Sequence, residues 1–141
     1  FYQFTAIDTC TKNKFIKIYS RKTANCGVKF VKEMINFYPF RIRHINSDNG
    51  GEFLAECHVY LEAKKITHYF SRARTPKDNP MVENTIKADE YEFWAWGNLC
   101  NTVEELNIKA KFWMDKFNNY RPHQALNYLT PMEYLKSRLE T

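Results

Sequence analysis

Two stretches near the amino end alternate between apolar and polar side chains. YQFTAID spans residues 2–8 and is rich in β-branched and aromatic residues, and KFIKIYS spans residues 14–20. The residues between them, TCTKN, are typical of a turn. Alternation with a period of two places one set of side chains on each face of a strand. The pattern therefore predicts a β-hairpin.

Helical spacing follows the hairpin. A first helix is predicted from Thr23 to Tyr38, where Pro39 stops it, and a second begins near Phe53. The last long helix begins at Thr102, which has capping-box spacing to Glu105. The predicted inward residues of the first helix are Val28, Val31, Met34, Ile35 and Tyr38. Those of the second helix are Phe53, Leu54, Cys57, Tyr60 and Leu61. Those of the last long helix are Val103, Leu106, Ala110, Trp113, Phe117 and Tyr120.

Short strands and turns complete the order of elements. RIRHIN (41–46) and ITHYF (66–70) are predicted strands, and the polar segment SRARTPKDNP (71–80) is a predicted loop. A further helix is expected to begin near Pro80, and a short one near Pro131. Strands and helices that alternate in this way predict a layered α/β fold. We expect one domain over residues 1–141, with a carboxy-terminal helical segment from about residue 102.

Composition narrows the class only a little. The chain has 141 residues, of which 44% are hydrophobic and 16% aromatic, so it can build a core. No apolar run approaches the roughly 18 residues of a membrane helix, so no membrane association is expected. A net charge of +5 suits a polyanion but is common among cytoplasmic domains. The cysteines are too far apart for a CxxC pair, which favours reduced thiols over a zinc site; they are Cys10, Cys26, Cys57 and Cys100.

Two acidic residues stand where carboxylates could converge. Asp48 follows a predicted strand and precedes Asn-Gly-Gly, and Glu83 lies near the start of a predicted helix. Two carboxylates in one site repel unless a cation lies between them, and Mg²⁺ prefers such oxygen ligands. Taken singly, each acid has a more ordinary explanation, since Asp-Asn-Gly-Gly is turn chemistry and an acid suits a first helical turn.

Three sequence blocks carry a resemblance that goes further. SDNGGEF (47–53) and TPKDNPMVEN (75–84) resemble the second and third acidic motifs of the DDE recombinases, which include retroviral integrases and bacterial insertion-sequence transposases. FNNYRPHQALNYLTPMEYL (117–135) resembles the end of the bacterial transposase cores. The blocks occur in the family's order, and the resemblance runs from about Phe4 to Leu135.

This resemblance implies an RNase H-like fold, a mixed sheet flanked by helices. It implies that Asp48 and Glu83 are catalytic metal ligands in a site for two Mg²⁺ ions, or Mn²⁺. The expected activity of the full-length parent is cutting and joining of DNA by transesterification during transposition. Expected partners are transposon ends, target DNA and further copies of the chain, in a cytoplasmic, nucleoid-associated bacterial protein.

Basic and aromatic residues near these motifs are candidates for DNA contact. Tyr69 and Phe70 could stack on splayed bases, although packing in the core is the favoured interpretation. For Lys87 the alternative is an ion pair with Glu83, one helical turn away. The tryptophans Trp94, Trp96 and Trp113 are expected in the core or between helices. The residues expected to face phosphates are Arg72, Arg74, Lys77 and Lys87.

The chain departs from the family pattern at two places. Asp8 lies closer to Asp48 than the family's first catalytic acid lies to its second, and FTAID resembles the family's second strand. We therefore expect Asp8 to be a hairpin-turn acid, and we expect the opening strand with the first acid to precede Phe1. The sequence directly after Glu83, Asn-Thr-Ile, also lacks the family's basic residue.

These departures shape the expectations for the chain as it stands. Without its opening strand, we expect it to be inactive and prone to aggregation, because a central strand satisfies two ladders of backbone groups. The alternative function is a non-catalytic remnant that binds DNA or dimerises with an intact transposase. A different RNase H-like nuclease is disfavoured by the phrases RPHQAL and TPMEYL, which resemble transposases.

Overall fold

The computed structural model describes residues 1–47, 55–70, 80–96 and 101–139, without the side chains of 55, 80–84 and 96. The strands are Tyr2–Ile7 (β1), Lys14–Tyr19 (β2), His44–Ser47 (β3) and Thr67–Phe70 (β4). The helices are Ala24–Phe37 (α1), Ala55–Ala63 (α2), Pro80–Glu92 (α3), Val103–Asn119 (α4) and Pro131–Leu139 (α5). Short 3₁₀ segments, which were not predicted, occur at Trp94–Trp96 and Gln124–Leu126.

The chain divides into two compact units. One contains Phe1–Tyr2 and Tyr19–Glu83, and the other contains Gln3–Ile18 and Asn84–Thr141. The described strands form two sheets of two strands each, β1 with β2 and β3 with β4. The predicted order of strands and helices is confirmed.

The amino-terminal hairpin forms as predicted. The β1–β2 connection is too short for a crossover, so the two strands run antiparallel. Asp8 N–H donates to the Asn13 carbonyl at 2.9 Å, and Lys12 N–H donates to the Asp8 carbonyl at 2.8 Å. Lys12 has a φ of 64°, so the turn holds one non-glycine residue in the left-handed region.

Side chains of α4 form hydrogen bonds with the backbone of β2. Asn118 accepts from Lys14 N–H and donates to the Lys14 carbonyl, both at 2.8 Å. Asn107 accepts from Ile18 N–H at 2.7 Å and donates to the Ile18 carbonyl at 2.9 Å. Backbone groups that would be left open on a strand edge invite pairing with another chain. The two amides therefore give β2 a partner along the edge where none of the described strands is paired with it.

The inward stripe of α4 agrees with the prediction except at its two ends, and Val103 at its start is only half-buried. Leu106, Ala110, Trp113 and Phe117 are buried, whereas Tyr120 is 77% exposed. Tyr120 is the residue after the helix, with a φ of −127°, so it no longer follows the helical spacing. The predicted N-cap is confirmed, because the hydroxyl of Thr102 accepts from Glu105 N–H at 3.2 Å.

A buried ion pair connects β2 to α3. Lys14 and Asp89 form it, and their side chains are 0% and 1% exposed. The Lys14 ammonium also donates to the Thr85 carbonyl at 3.3 Å and lies 3.7 Å from the centre of the Phe117 ring. Asp89 accepts from the Trp113 indole at 2.6 Å. Both charges are fully partnered, as buried charges must be.

The carboxy-terminal motif has structural contacts along its length. Arg121 donates to both carboxylate oxygens of Glu92, at 2.9 and 2.8 Å. Thr130 and Glu133 form a reciprocal capping box at the start of α5, with bonds of 3.2 and 2.9 Å. Together with Asn118, these contacts show that the motif is used to assemble this unit.

The other unit is built from α1, α2 and the β3–β4 pair. α1 packs on α2, and α2 packs on β4. In α2, Cys57 and Leu61 are buried as predicted. β3 begins at His44 instead of the predicted residue 41. The predicted stripe of α1 is only partly correct, because Val28 and Ile35 are half-buried. The buried residues of this helix are Gly27, Phe30, Val31 and Met34.

Candidate functional site

Most of the predicted site falls outside the described residues. Asp48 does so, as do the loop residues Arg72, Arg74 and Lys77. Glu83 lies in α3, but its side chain is not described, and Lys87 is exposed on the same helix. The roles assigned to these residues stay predictions.

The strands that lead to the predicted site are described, and they run parallel. Ser47, which directly precedes Asp48, is paired in register with Phe70, which directly precedes the basic loop. The carboxyl ends of parallel strands lie at the same edge of a sheet, where α/β proteins bind ligands. The segment with Asp48 and the basic segment therefore both continue from one edge of the β3–β4 pair.

Helix α3 has one buried side. Thr85 and Asp89, one turn apart, are 4% and 1% exposed. Positions two residues apart on an α-helix differ in direction by about 200°, so position 87 lies on the side opposite to Thr85 and Asp89. Position 83 is one turn before Lys87 on that same side. Lys87 is exposed there, which favours a role at the surface for this residue.

Asp8 has the contacts of a turn residue. Its carboxylate accepts from the backbone N–H of Thr11 at 2.9 Å and from the Thr11 hydroxyl at 2.6 Å. A side chain that closes a turn onto the residue three positions later stabilises that turn locally. The structure thus gives Asp8 the hairpin role that was expected from the sequence.

Tyr69 and Phe70 are not core residues, and the favoured interpretation was wrong. They are 54% and 37% exposed. The buried side chain of β4 is instead His68, at 9% exposure. The Phe70 ring lies 4.2 Å from the His68 ring, and Tyr69 lies 5.8 Å from His44 on the alternate face of the strand. Of the tryptophans, Trp113 is buried as expected and Trp94 is half-buried.

Sequence reasoning missed a chain of polar side chains beside this edge. The Ser47 hydroxyl lies 2.6 Å from Nε2 of His68, and Nδ1 of His68 lies 3.2 Å from Nδ1 of His58. Nε2 of His58 lies 2.9 Å from the Glu62 carboxylate. We call these four residues the histidine relay. The sequence signal was weak: one histidine in the apolar strand ITHYF and another ten residues earlier.

Burial changes the acid–base properties of two residues in this unit. Desolvation lowers the pKa of His68, and the neighbouring His58 lowers it further. Burial raises the pKa of the Cys57 thiol to about 11, so this thiol is not a reactive thiolate at neutral pH. Cys57 is a free cysteine, as are Cys10 and Cys26, and the prediction of reduced thiols is confirmed for these three.

Within the ranges that the structure describes, no three histidine, cysteine, aspartate or glutamate side chains come together as a metal site. The predicted ligands, Asp48 and the Glu83 side chain, lie outside those ranges. Two carboxylates are nevertheless the donor chemistry that Mg²⁺ prefers. The helices in the described part of the chain are all too short or too polar to cross a membrane.

Comparison with solved structures defines the fold class. The catalytic core domain of BIV integrase matches with a TM-score of 0.77 at 21% identity, covering 98% of this chain and 88% of that one. A chain of the simian T-cell lymphotropic virus intasome in complex with PP2A regulatory subunit B56 gamma also gives a TM-score of 0.77, at 16% identity, covering 94% of this chain and 47% of that one. The chain has the RNase H-like α/β fold of integrase catalytic cores.

Sequence comparison agrees with this fold. The integrase core domain family matches residues 64–131. A putative integrase of Spiroplasma virus SpV1-C74 is 25% identical and covers 97% of this chain, and an uncharacterized protein of insertion element IS136 from Agrobacterium fabrum is 25% identical over 71% of it. The chain spans about half the length of these relatives, 42% and 51%. The chain is therefore similar in sequence to integrase cores and insertion-element proteins, and the resemblance is confirmed.

Proposed function

We propose that this chain is part of the catalytic core of a transposase-type or integrase-type parent protein, which would cut and join DNA strands during transposition. The observation that supports the proposal is the register of Ser47 with Phe70, because the strand that precedes Asp48 and the strand that precedes the basic loop end at one edge of a parallel pair. The order of the three motif blocks supports it.

In this proposal Asp48 and Glu83 hold divalent cations. When bound, a pair of Mg²⁺ ions would activate the attacking hydroxyl and stabilise the leaving oxygen. The protein's own contribution is rigidity: Asp48 directly follows a strand, and Glu83 lies on a helix anchored by the buried Asp89. Rigid elements hold ligands more accurately than loops do.

The basic residues would bind the DNA backbone. Arg72, Arg74 and Lys77 lie in the segment that leaves β4, and Lys87 is exposed one turn after Glu83. Phosphate contacts fix the position of DNA without reading its sequence, and they make affinity fall with salt. Transposon ends, target DNA and a homo-oligomeric assembly belong to the proposal for the intact parent.

Binding of Mn²⁺ to the 141-residue chain, measured by calorimetry, tests the carboxylate site without requiring catalysis. We expect Asp48→Asn and Glu83→Gln each to weaken binding at least tenfold, as loss of a charged ligand should. Asp8→Asn is the matched control, because Asp8 is an acid engaged in a turn. Equal binding by all four proteins would contradict the proposed ligands.

A nicking assay on supercoiled plasmid with Mg²⁺ or Mn²⁺ then separates the two functions. Nicking that is lost in Asp48→Asn supports the enzyme. Salt-dependent DNA binding without nicking, by a chain that also binds no Mn²⁺, would favour the non-catalytic remnant, which the net charge of +5 suits. Nicking that vanishes in Asp8→Asn would show that Asp8 is catalytic.

A further inference from the structure

The histidine relay has a direction that follows from the chemistry of its outer end. An ionised Glu62 can only accept hydrogen bonds, so Nε2 of His58 donates to it. In a neutral imidazole the other nitrogen is then an acceptor. When His58 is neutral, the 3.2 Å contact between the two Nδ1 atoms requires His68 to donate from Nδ1.

The inner end follows in the same way. A neutral His68 that is protonated on Nδ1 has an unprotonated Nε2. The Ser47 hydroxyl, 2.6 Å away, is then the donor of that contact. Burial supports the neutral form, because it lowers the pKa of His68. In all three contacts the donor therefore lies on the same side: each group donates a hydrogen bond to the next, from the buried Ser47 hydroxyl on β3 to the exposed Glu62 carboxylate on α2.

We propose that the histidine relay is polarised from Ser47 towards Glu62 and positions the strand end that continues into Asp48. The relay joins three elements: Ser47 is the last residue of β3, His68 lies on β4, and the outer pair lies on α2. His68 is a positioning residue, because it acts through Ser47. What it positions rests on the proposed function of Asp48 as a metal ligand.

Two features distinguish the relay from chance polar packing. Exposure increases along it, from buried Ser47 and His68 to side chains that are 35% exposed at His58 and 66% exposed at Glu62. Its contacts are also short enough for hydrogen bonds at every step. Groups that orient a metal ligand typically change metal affinity about 10–100-fold when they are removed. The relay would act on such a ligand through the backbone of Ser47, whose hydroxyl is bonded to His68.

Imidazole tautomers test the direction. Long-range ¹H–¹⁵N correlation spectra of the full chain near neutral pH should show His68 protonated on Nδ1 and His58 protonated on Nε2. Glu62→Leu should replace both patterns with tautomer mixtures, whereas Glu56→Leu, at an exposed position of the same helix, should leave them unchanged. His68 protonated on Nε2, or spectra unchanged in Glu62→Leu, would overturn the proposal.

Mn²⁺ affinity tests the positioning. Ser47→Ala should weaken binding about tenfold, and Ser47→Thr, which keeps the hydroxyl, should restore it. The affinity is compared at a temperature where thermal melts show every variant folded. Affinity unchanged in Ser47→Ala would overturn the positioning role. If the unsubstituted chain binds no Mn²⁺, the proposed function and the positioning role fail together, and the tautomers still decide whether the relay is polarised as described.

Discussion

Asn118 on α4 makes both backbone hydrogen bonds of Lys14 on β2, through one side-chain amide. It accepts from Lys14 N–H and donates to the Lys14 carbonyl, both at 2.8 Å. An amide is the side chain that offers a donor and an acceptor side by side, as a neighbouring strand does. Helix α4 thus replaces a strand, and the Ile16 N–H between the two amides donates to the sulfur of Met114 at 3.1 Å.

Removal of this amide should destabilise the chain. Asn118→Ala leaves two buried backbone groups without their partner, at about 1–3 kcal/mol each, so we expect a loss of roughly 2–6 kcal/mol in the free energy of unfolding. Asn119→Ala is the control, since Asn119 is exposed and should change stability by less than about 0.5 kcal/mol. Urea unfolding measures both. Equal effects would show that the Asn118 contacts contribute little.

The sequence predicted the elements well because their signals are local. The hairpin is specified by alternation and turn residues, and α4 by its stripe and the cap at Thr102. The contacts of Asn118 and Asn107 could not be predicted, because their partners lie 104 and 89 residues away and an asparagine in a helix carries no sign of what it binds. Such pairings depend on how the elements pack.

The same limit explains the misjudged strand β4. ITHYF reads as a buried apolar strand, and nothing local shows that its histidine lies inward while Tyr69 and Phe70 are exposed. The buried side is set by the packing of α2, which supplies His58 as the partner of His68. For the site, the motif wording indicated Asp48 and Glu83, whereas the register of β3 with β4 shows only that the strands before Asp48 and before the basic loop end at the same edge.

The buried ion pair of Lys14 and Asp89 should show strong coupling. Lys14→Met or Asp89→Asn alone leaves one buried charge unpaired, which costs about 3–5 kcal/mol. The double variant removes both charges and should be destabilised by much less than the sum. The exposed pair of Arg121 and Glu92 is the control, with about 0–1 kcal/mol of coupling expected. Additive effects at the buried pair in a double-mutant cycle would contradict this expectation.

Acid should weaken the fold through His123. Burial, followed by the charges of Arg121 and Lys14, lowers its pKa to about 4, below the ordinary value of 6.5. Between these values the unfolded chain binds a proton that the folded chain does not, so stability falls as the pH falls through this window. After allowance for partial exposure, we expect a loss of about 1–2 kcal/mol.

Chemical denaturation as a function of pH tests this linkage. His123→Gln should flatten the stability profile between pH 6.5 and 4, the two pKa values concerned, whereas exposed His44→Gln should not. Some dependence of stability on pH should remain in this variant. The pKa of His68 is also lowered in the folded chain, so its protonation destabilises the fold in the same direction. A profile that is unchanged in His123→Gln would refute the assignment.

The exposed Tyr69 should contribute to DNA binding by stacking, if the proposed function is right. Stacking of one base on an aromatic ring is worth about 1–3 kcal/mol, so Tyr69→Ala should weaken binding of single-stranded DNA roughly tenfold, whereas Tyr69→Trp should retain it. Because no charge changes, the dependence of affinity on salt should stay the same. Tyr128, 69% exposed, supplies the control Tyr128→Ala.

Lys87→Ala provides the complementary test of charge in the same anisotropy titrations. Loss of one phosphate contact should lower the slope of log affinity against log salt by about 1, and should do so for every DNA sequence. Lys111→Ala, at an exposed position of α4, should leave the slope unchanged. A changed slope in Tyr69→Ala would contradict the stacking role of Tyr69. An unchanged slope in Lys87→Ala would show that Lys87 makes no phosphate contact, so the exposed face of α3 would not be a DNA surface.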